Sequence, residues 1–141
     1  MSDINIGQIT EALNDKMDRD AHNVQSPSAV VVDKQDPTSE NNYTWYRKYS
    51  DGWVEQGGHA SSVPYGGTNI TFPIPFSNSN YALFFTPVHE SVSNTAGCGS
   101  VGEKTSVGAT LKIYGYIWSS GQWNSSVVLS GAWLAIGVAA S

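Results

Sequence analysis

At 141 residues the chain has room for one domain and a short appendage, and its 40% apolar share suffices for a single modest core. Only 13% of residues are charged, while Gly, Ser, Thr, Asn and aromatics are abundant, a mixture that points to an all-β surface domain and away from a helical cytosolic enzyme. A net charge of -5 with seven scattered Lys and Arg disfavours a nucleic-acid groove, and with no basic-then-apolar N-terminus and no apolar run near twenty residues, neither a cleaved secretion signal nor membrane insertion is expected.

The spacing of Ile6, Ile9, Leu13 and Met17 predicts a short helix from Asp3 to about Asp18, capped by Ser2 or Asp3. So short a helix is marginal in water and needs a partner, either its own domain or the same helix in neighbouring subunits. Asp18 to Ser28 reads as a polar connector. Residues 1–26 are therefore taken as a helical stem and connector, and residues 27–141 as the β domain.

From Ala29 the pattern is that of strands, beginning with Ala29–Val32. A turn at Asp36-Pro37 leads into Trp45-Tyr-Arg-Lys-Tyr-Ser-Asp-Gly-Trp-Val-Glu-Gln-Gly-Gly58, a β-hairpin around Asp51-Gly52. A three-residue loop, Ser50-Asp51-Gly52, sets Arg47 opposite Glu55 and Trp45 opposite Gly57. A two-residue loop sets Lys48 opposite Glu55 instead. The longer loop is preferred, and both registers pair a cation with the carboxylate. Downstream, Ile70, Phe72, Ile74 and Phe76 alternate with Thr71, Pro73 and Pro75, a strand whose prolines push it toward a sheet edge. Tyr81, Leu83 and Phe85 give another strand, ending near Pro87. His89 to about Gly108, polar and rich in Ser and Gly, reads as either a projecting loop or a locally disordered segment. Leu111, Ile113 and Ile117 line one face of the next strand and Lys112, Tyr114, Tyr116 and Trp118 the other. Ser119–Ser126 is a loop around Trp123, and Trp133–Val138 a last apolar strand. Seven or eight strands with closely spaced turns predict a β-sandwich with a short N-terminal helix.

Catalytic and metal-binding patterns are missing: no Gly-rich phosphate loop, no H-E-x-x-H, no G-x-S-x-G and no cysteine pair. His22, His59 and His89 stand apart and read as surface residues, unless symmetry in an oligomer brings copies together. Asp3, Glu11, Asp15, Asp18 and Asp20 solvate the helical appendage and its exit, Glu55 pairs across the hairpin, and Glu90 and Glu103 fall in the long loop. Cys98 reads as an incidental free thiol. The expectation is a non-enzymatic protein with no metal and no cofactor. Aromatics are the stronger lead, because Trp and Tyr bury large faces at little entropy cost and carry a polar handle. Trp45, Trp53 and Trp133 are expected to fill the core and Trp123 to stay exposed. Tyr114, Tyr116 and Trp118 are read first as a subunit interface, with core and ligand surface as alternatives. A charge-poor, aromatic-rich domain with a dependent helix is more readily explained as an oligomer than as a monomer.

The hairpin block Trp45–Gly58, the strand Thr71-Phe-Pro-Ile-Pro75 and the terminal Trp133-Leu-Ala-Ile-Gly137 together resemble the C-terminal domain of tailed-phage and prophage tail fibre proteins. Ala12–Val24 resembles a short motif that often precedes such domains. The resemblance implies a homotrimeric knob at a fibre tip, with N-terminal helices (Ile6, Ile9, Leu13, Met17) around the three-fold axis. It also implies location in the virion after synthesis in the host cytoplasm, and attachment to a bacterial surface polysaccharide or outer-membrane protein. Some fibre tips bind iron through His-x-His repeats; this chain has none, so metal binding is not implied. On that reading the receptor is met by the loops Ser91–Gly108 and Ser119–Ser126, with Trp123, Gln122, Asn124, Asn94 and Glu103 as candidate contacts. The rivals are a purely structural trimerisation domain and a polysaccharide depolymerase with carboxylates assembled between subunits.

Overall fold

The computed structural model describes residues 5–13, 29–88, 95–117, 120–124 and 127–141. The chain divides into two compact units, Met1–Val30 and Val31–Ser141. In the first, helix α1 covers residues 6–13 and its cap is Asn5, not Ser2 or Asp3. The Asn5 Oδ1 accepts from the Gln8 N–H at 2.9 Å, and the Gln8 Oε1 accepts from the Asn5 N–H at 3.0 Å. This reciprocal pair satisfies two donors that a helix start leaves open, and so fixes the boundary. Ile6, Ile9 and Leu13 are all exposed. Met17 and the connector as far as Ser28 lie outside the described residues.

The second unit holds β1 (Val31–Gln35), β2 (Trp45–Tyr49), β3 (Trp53–Val63), β4 (Thr68–Thr71), β5 (Ala82–Val88), β6 (Thr95–Thr105), β7 (Gly108–Ile117), β8 (Gln122–Asn124) and β9 (Leu129–Val138). Sheet A has the order β1-β2-β3-β9-β5; sheet B has β4-β7-β6, with β8 also paired to β7. Every pairing is antiparallel. The two sheets face each other across one core, an all-β sandwich-like arrangement in which alternate residues of each strand point inward.

The hairpin adopts the longer-loop register: Trp45 pairs with Gly57 and Arg47 with Glu55. Gly52 closes the bend at φ 87°, a conformation that disfavours a side chain. The expected Arg47–Glu55 pairing of charges gives way to other partners. Arg47 donates to the Asp36 carboxylate at 2.8 Å and to the carbonyls of Gln35 and Tyr46, and Glu55 accepts the Tyr49 hydroxyl at 3.3 Å. The Lys34 ammonium, hydrogen-bonded to Asp36, together with Arg47 holds the Asp36 carboxyl below its ordinary value. The paired glycines each lie beneath a tryptophan directly across the ladder, Gly57 under Trp45 and Gly58 under Trp133. A β-carbon on Gly57 would meet the Trp133 carbonyl oxygen and Trp45 Nε1, both at 2.8 Å. Of the three tryptophans expected inside, only Trp133 is buried; Trp45 is half-buried on the outer face, and Trp53 is 42% exposed.

The Phe72-Pro-Ile-Pro-Phe76 stretch is no edge strand. It leaves β4 and forms an isolated β-bridge, Phe76 with Ala139, in place of a ladder. Proline denies this stretch a regular ladder, so its remaining donors are met one at a time. The N–H groups of Phe72 and Phe76 go to the carbonyls of Val107 and Ser106 at 2.9 and 2.8 Å. Ile74 is served by the fully buried Gln56, which accepts from its N–H at 3.0 Å and donates to its carbonyl at 2.8 Å. Phe72, Phe76, Tyr81 and Trp133 then interlock at the centre, with Phe76 stacked on Tyr81 at 4.4 Å and Phe72 edge-on to both rings. The Tyr81 hydroxyl donates to the Gly108 carbonyl at 3.1 Å, and burial pushes that phenol up.

The largest departure from expectation is the segment read as a projecting loop or a disordered one. Thr95–Thr105 is an eleven-residue strand paired along β7. Its small residues allow close approach: a β-carbon on Gly99 would lie 2.6 Å from the Phe85 ring and 2.9 Å from the Phe85 carbonyl oxygen. Likewise the polar stretch around Trp123 is in part a strand, β8.

Candidate functional site

Strand alternation divides β7 between two environments. Leu111, Ile113 and Gly115 are buried, while Thr110, Lys112, Tyr114 and Tyr116 face outward. Neighbours complete an aromatic strip on the outer face of sheet B. Trp123 of β8 sits opposite Tyr116, with ring centres 5.5 Å apart and planes inclined by 70°. Tyr65, in the turn between β3 and β4, meets Tyr114 edge-on at 5.2 Å and 90°. Both contacts have the geometry that aromatic pairs prefer, so they restrain the rings before any ligand arrives. Trp123 nevertheless remains 67% exposed, and Tyr65 and Tyr114 are exposed as well.

Polar groups flank the strip. Lys112 lies opposite Ser100, and Cys98, exposed on β6, lies opposite Tyr114. At the Thr110 end a hollow of about 240 Å³ is lined by Asn69, Thr71, Glu103, Thr105 and Thr110 together with the apolar Ile70, Val107 and Ala109. The Thr110 hydroxyl and the Asn69 Oδ1 are 2.7 Å apart. Flat ring faces beside hydroxyls, an amide, a carboxylate and an ammonium suit a ligand with apolar C–H faces and many hydroxyls.

The structure joins residues that the sequence kept apart. Trp123, read as a ligand contact, and Tyr114 and Tyr116, read first as subunit interface, belong to one strip. Gln122 is exposed beside Trp123, and Glu103 stands in the hollow, on a strand rather than on a loop. Asn94 and Trp118 lie outside the described residues, as does the side chain of Asn124. Tyr65 was missed. It stands in a Pro-Tyr-Gly-Gly sequence outside any strand pattern, although an aromatic among turn residues carries the same signal that singled out Trp123.

Among the described residues no group of three or more His, Cys, Asp or Glu is placed to hold a metal ion, and no helix is long and apolar enough to cross a membrane. None of the curated proteins compared with this chain matches it. Among solved structures, an N-truncated R2-type pyocin tail fiber is similar in fold, with a TM-score of 0.52 at 15% sequence identity over 77% of this chain. The match spans 39% of the pyocin chain. The family model for the tail fiber protein gp53-like, C-terminal, matches residues 48–138, which run from the aromatic hairpin through the whole of sheet B to the end of β9. The chain therefore belongs to the family of gp53-like tail fiber C-terminal domains.

Proposed function

We propose that this domain attaches a phage particle to a bacterial surface glycan or outer-surface protein, and that the aromatic strip of Tyr65, Tyr114, Tyr116 and Trp123 makes the contact. It acts by binding, without catalysis, as a homotrimer at the end of a fibre in the virion. The observation that carries the reading is Trp123: a large ring held edge-on by Tyr116 and still 67% exposed. An indole face packs against the C–H face of a pyranose, and neighbouring hydroxyl and amide groups then select among sugars. Each contact is weak. Several copies on one particle raise the effective affinity by orders of magnitude.

Adsorption of the labelled chain to a permissive strain tests this. Trp123→Ala is expected to lower adsorption at least tenfold with the circular dichroism spectrum unchanged; equal adsorption removes the strip from the contact. No adsorption by the parent chain would make the domain a structural closure of the fibre. Release of reducing ends from surface polysaccharide would contradict the non-catalytic reading.

A further inference from the structure

Strand β6 is irregular at one point, and that point lies beside the strip. Its pairing with β7 runs from Val101 opposite Leu111 to Lys104 opposite Ala109, three steps on one strand against two on the other. The extra residue makes a β-bulge, in which Gly102 and Glu103 together face Thr110. Leu111 and Ala109 are buried, so strict alternation from Val101 would point Glu103 inward and Lys104 out. The bulge reverses both. The Lys104 ammonium lies 4.4 Å from the centre of the Tyr81 ring and donates to the Tyr81 carbonyl at 2.5 Å, while Glu103 is exposed in the hollow. Gly102 leaves the space for this turn, since a β-carbon there would stand 3.2 Å from Lys112 Cε and 3.4 Å from Thr110 Cβ. Two charges adjacent in sequence are thus parted, and among the described residues Glu103 has neither an ion pair nor a hydrogen bond.

Across the hollow the Thr110 hydroxyl donates to the Asn69 Oδ1 at 2.7 Å, which occupies the amide oxygen and leaves its two N–H donors open. The Thr105 hydroxyl is already committed to the Gly108 carbonyl and the Val107 N–H. We infer that the hollow is a second sugar subsite, in which Glu103 and Asn69 read the hydroxyls of an uncharged unit and Glu103 disfavours an acidic one. The inference rests on the attachment reading above and names the sugar class that the site takes. A carboxylate only accepts and an amide NH2 only donates, whereas a sugar hydroxyl does both, so neighbouring hydroxyls satisfy the two side chains together. Ile70, Val107 and Ala109 offer the ring an apolar wall. A sugar carboxylate or phosphate would instead meet Glu103 as a like charge. Lys112, next outward on β7, marks where the hollow gives way to the strip. Thr110 and Tyr116 stand six residues apart on one strand, about 20 Å at roughly 3.4 Å per residue. One sugar ring cannot reach both ends, so the ligand is a chain that the two subsites hold jointly.

Isothermal titration calorimetry of the full chain is the test, with surface polysaccharide of a permissive strain separated by anion exchange into neutral and acidic fractions. The parent is expected to bind the neutral fraction more tightly. Glu103→Gln, which keeps the shape, is expected to weaken that binding roughly tenfold and to move the preference toward the acidic fraction. Asn69→Asp still accepts from Thr110 but has oxygen in place of the NH2, and the same roughly tenfold loss is expected. Glu40→Gln makes the same charge change at an exposed turn residue and should bind as the parent does. Circular dichroism should be the same for all. Parent-like binding by Glu103→Gln and Asn69→Asp, where Trp123→Ala has lost it, overturns the subsite and leaves the strip standing. Loss through Glu103→Gln with none through Trp123→Ala upholds the subsite and removes the strip. A parent that prefers the acidic fraction overturns the inference, and one that binds neither fraction overturns both readings.

Discussion

Replacing Gln56 by leucine should be among the most damaging single changes in the β domain, although the volume is nearly conserved. Gln56 is 0% exposed, and its amide meets both the N–H and the C=O of Ile74, at 3.0 and 2.8 Å. Pro73 and Pro75 offer no donors, so this side chain stands in for the missing strand partner of residues 72–76. Leucine fills the space but orphans one donor and one acceptor, each costing about 1–3 kcal/mol, partly offset by the apolar burial gained. A net loss of about 3 kcal/mol is expected, a lowering of roughly 10 °C in the thermal midpoint for a domain of this size. Differential scanning calorimetry and urea titration of the parent and the variant measure it. Gln56→Glu probes the same contact through pH. Its carboxyl is buried against a carbonyl that needs a donor, so its folded pKa is raised above the unfolded value, and the variant should be most stable in acid and lose stability as pH rises through that pKa. A Gln56→Leu protein within about 1 kcal/mol of the parent, the net worth of an ordinary hydrogen bond, would refute the reasoning.

Three further expectations follow from the packing. Gly57→Ala should cost about 1–3 kcal/mol, because its β-carbon meets a backbone oxygen at 2.8 Å and that strand cannot yield without disturbing the β3–β9 ladder; denaturant midpoints within error of the parent would contradict this. Phe85→Ala should destabilise by about 3–5 kcal/mol, because the ring is the contact over both Gly99 and Gly131; calorimetry decides, and a loss below about 1 kcal/mol would deny the ring that role. For Asp36 the folded pKa is depressed by Lys34 and Arg47, so its contribution is present above the ordinary value of 3.8 and is lost as pH falls through the lower folded value. Nuclear magnetic resonance of the Arg47 and Lys34 side chains should report a midpoint below 3.8, and one at or above it would contradict the tie.

Legibility in the sequence followed the physics of each segment. The hairpin could be read to within two registers because Asp51-Gly52 marks the bend, but charge pairing did not choose between them, since both set a cation opposite Glu55 and in the fold Arg47 and Glu55 turn to other partners. The exposed Trp123 was legible because a polar stretch has nothing to bury an indole against. The strand β6 was not, since Gly, Ser and Thr imitate a loop, and only the Phe85 ring over Gly99 explains why small residues are needed there. Trp53 was misplaced because residue type says nothing of which face a register selects. The strip itself joins β7, β8 and the Tyr65 turn, a juxtaposition set by sheet order that local pattern does not encode.

The most direct measurement of the central claim is a nuclear magnetic resonance titration of the full chain with surface polysaccharide purified from a permissive strain. The account predicts that the perturbed aromatic signals are those of Trp123, Tyr65, Tyr114 and Tyr116, while Trp53 and Phe84 stay unchanged. Perturbation confined to Trp53 and Phe84, or no perturbation with a polysaccharide that the chain demonstrably adsorbs to on cells, would contradict it.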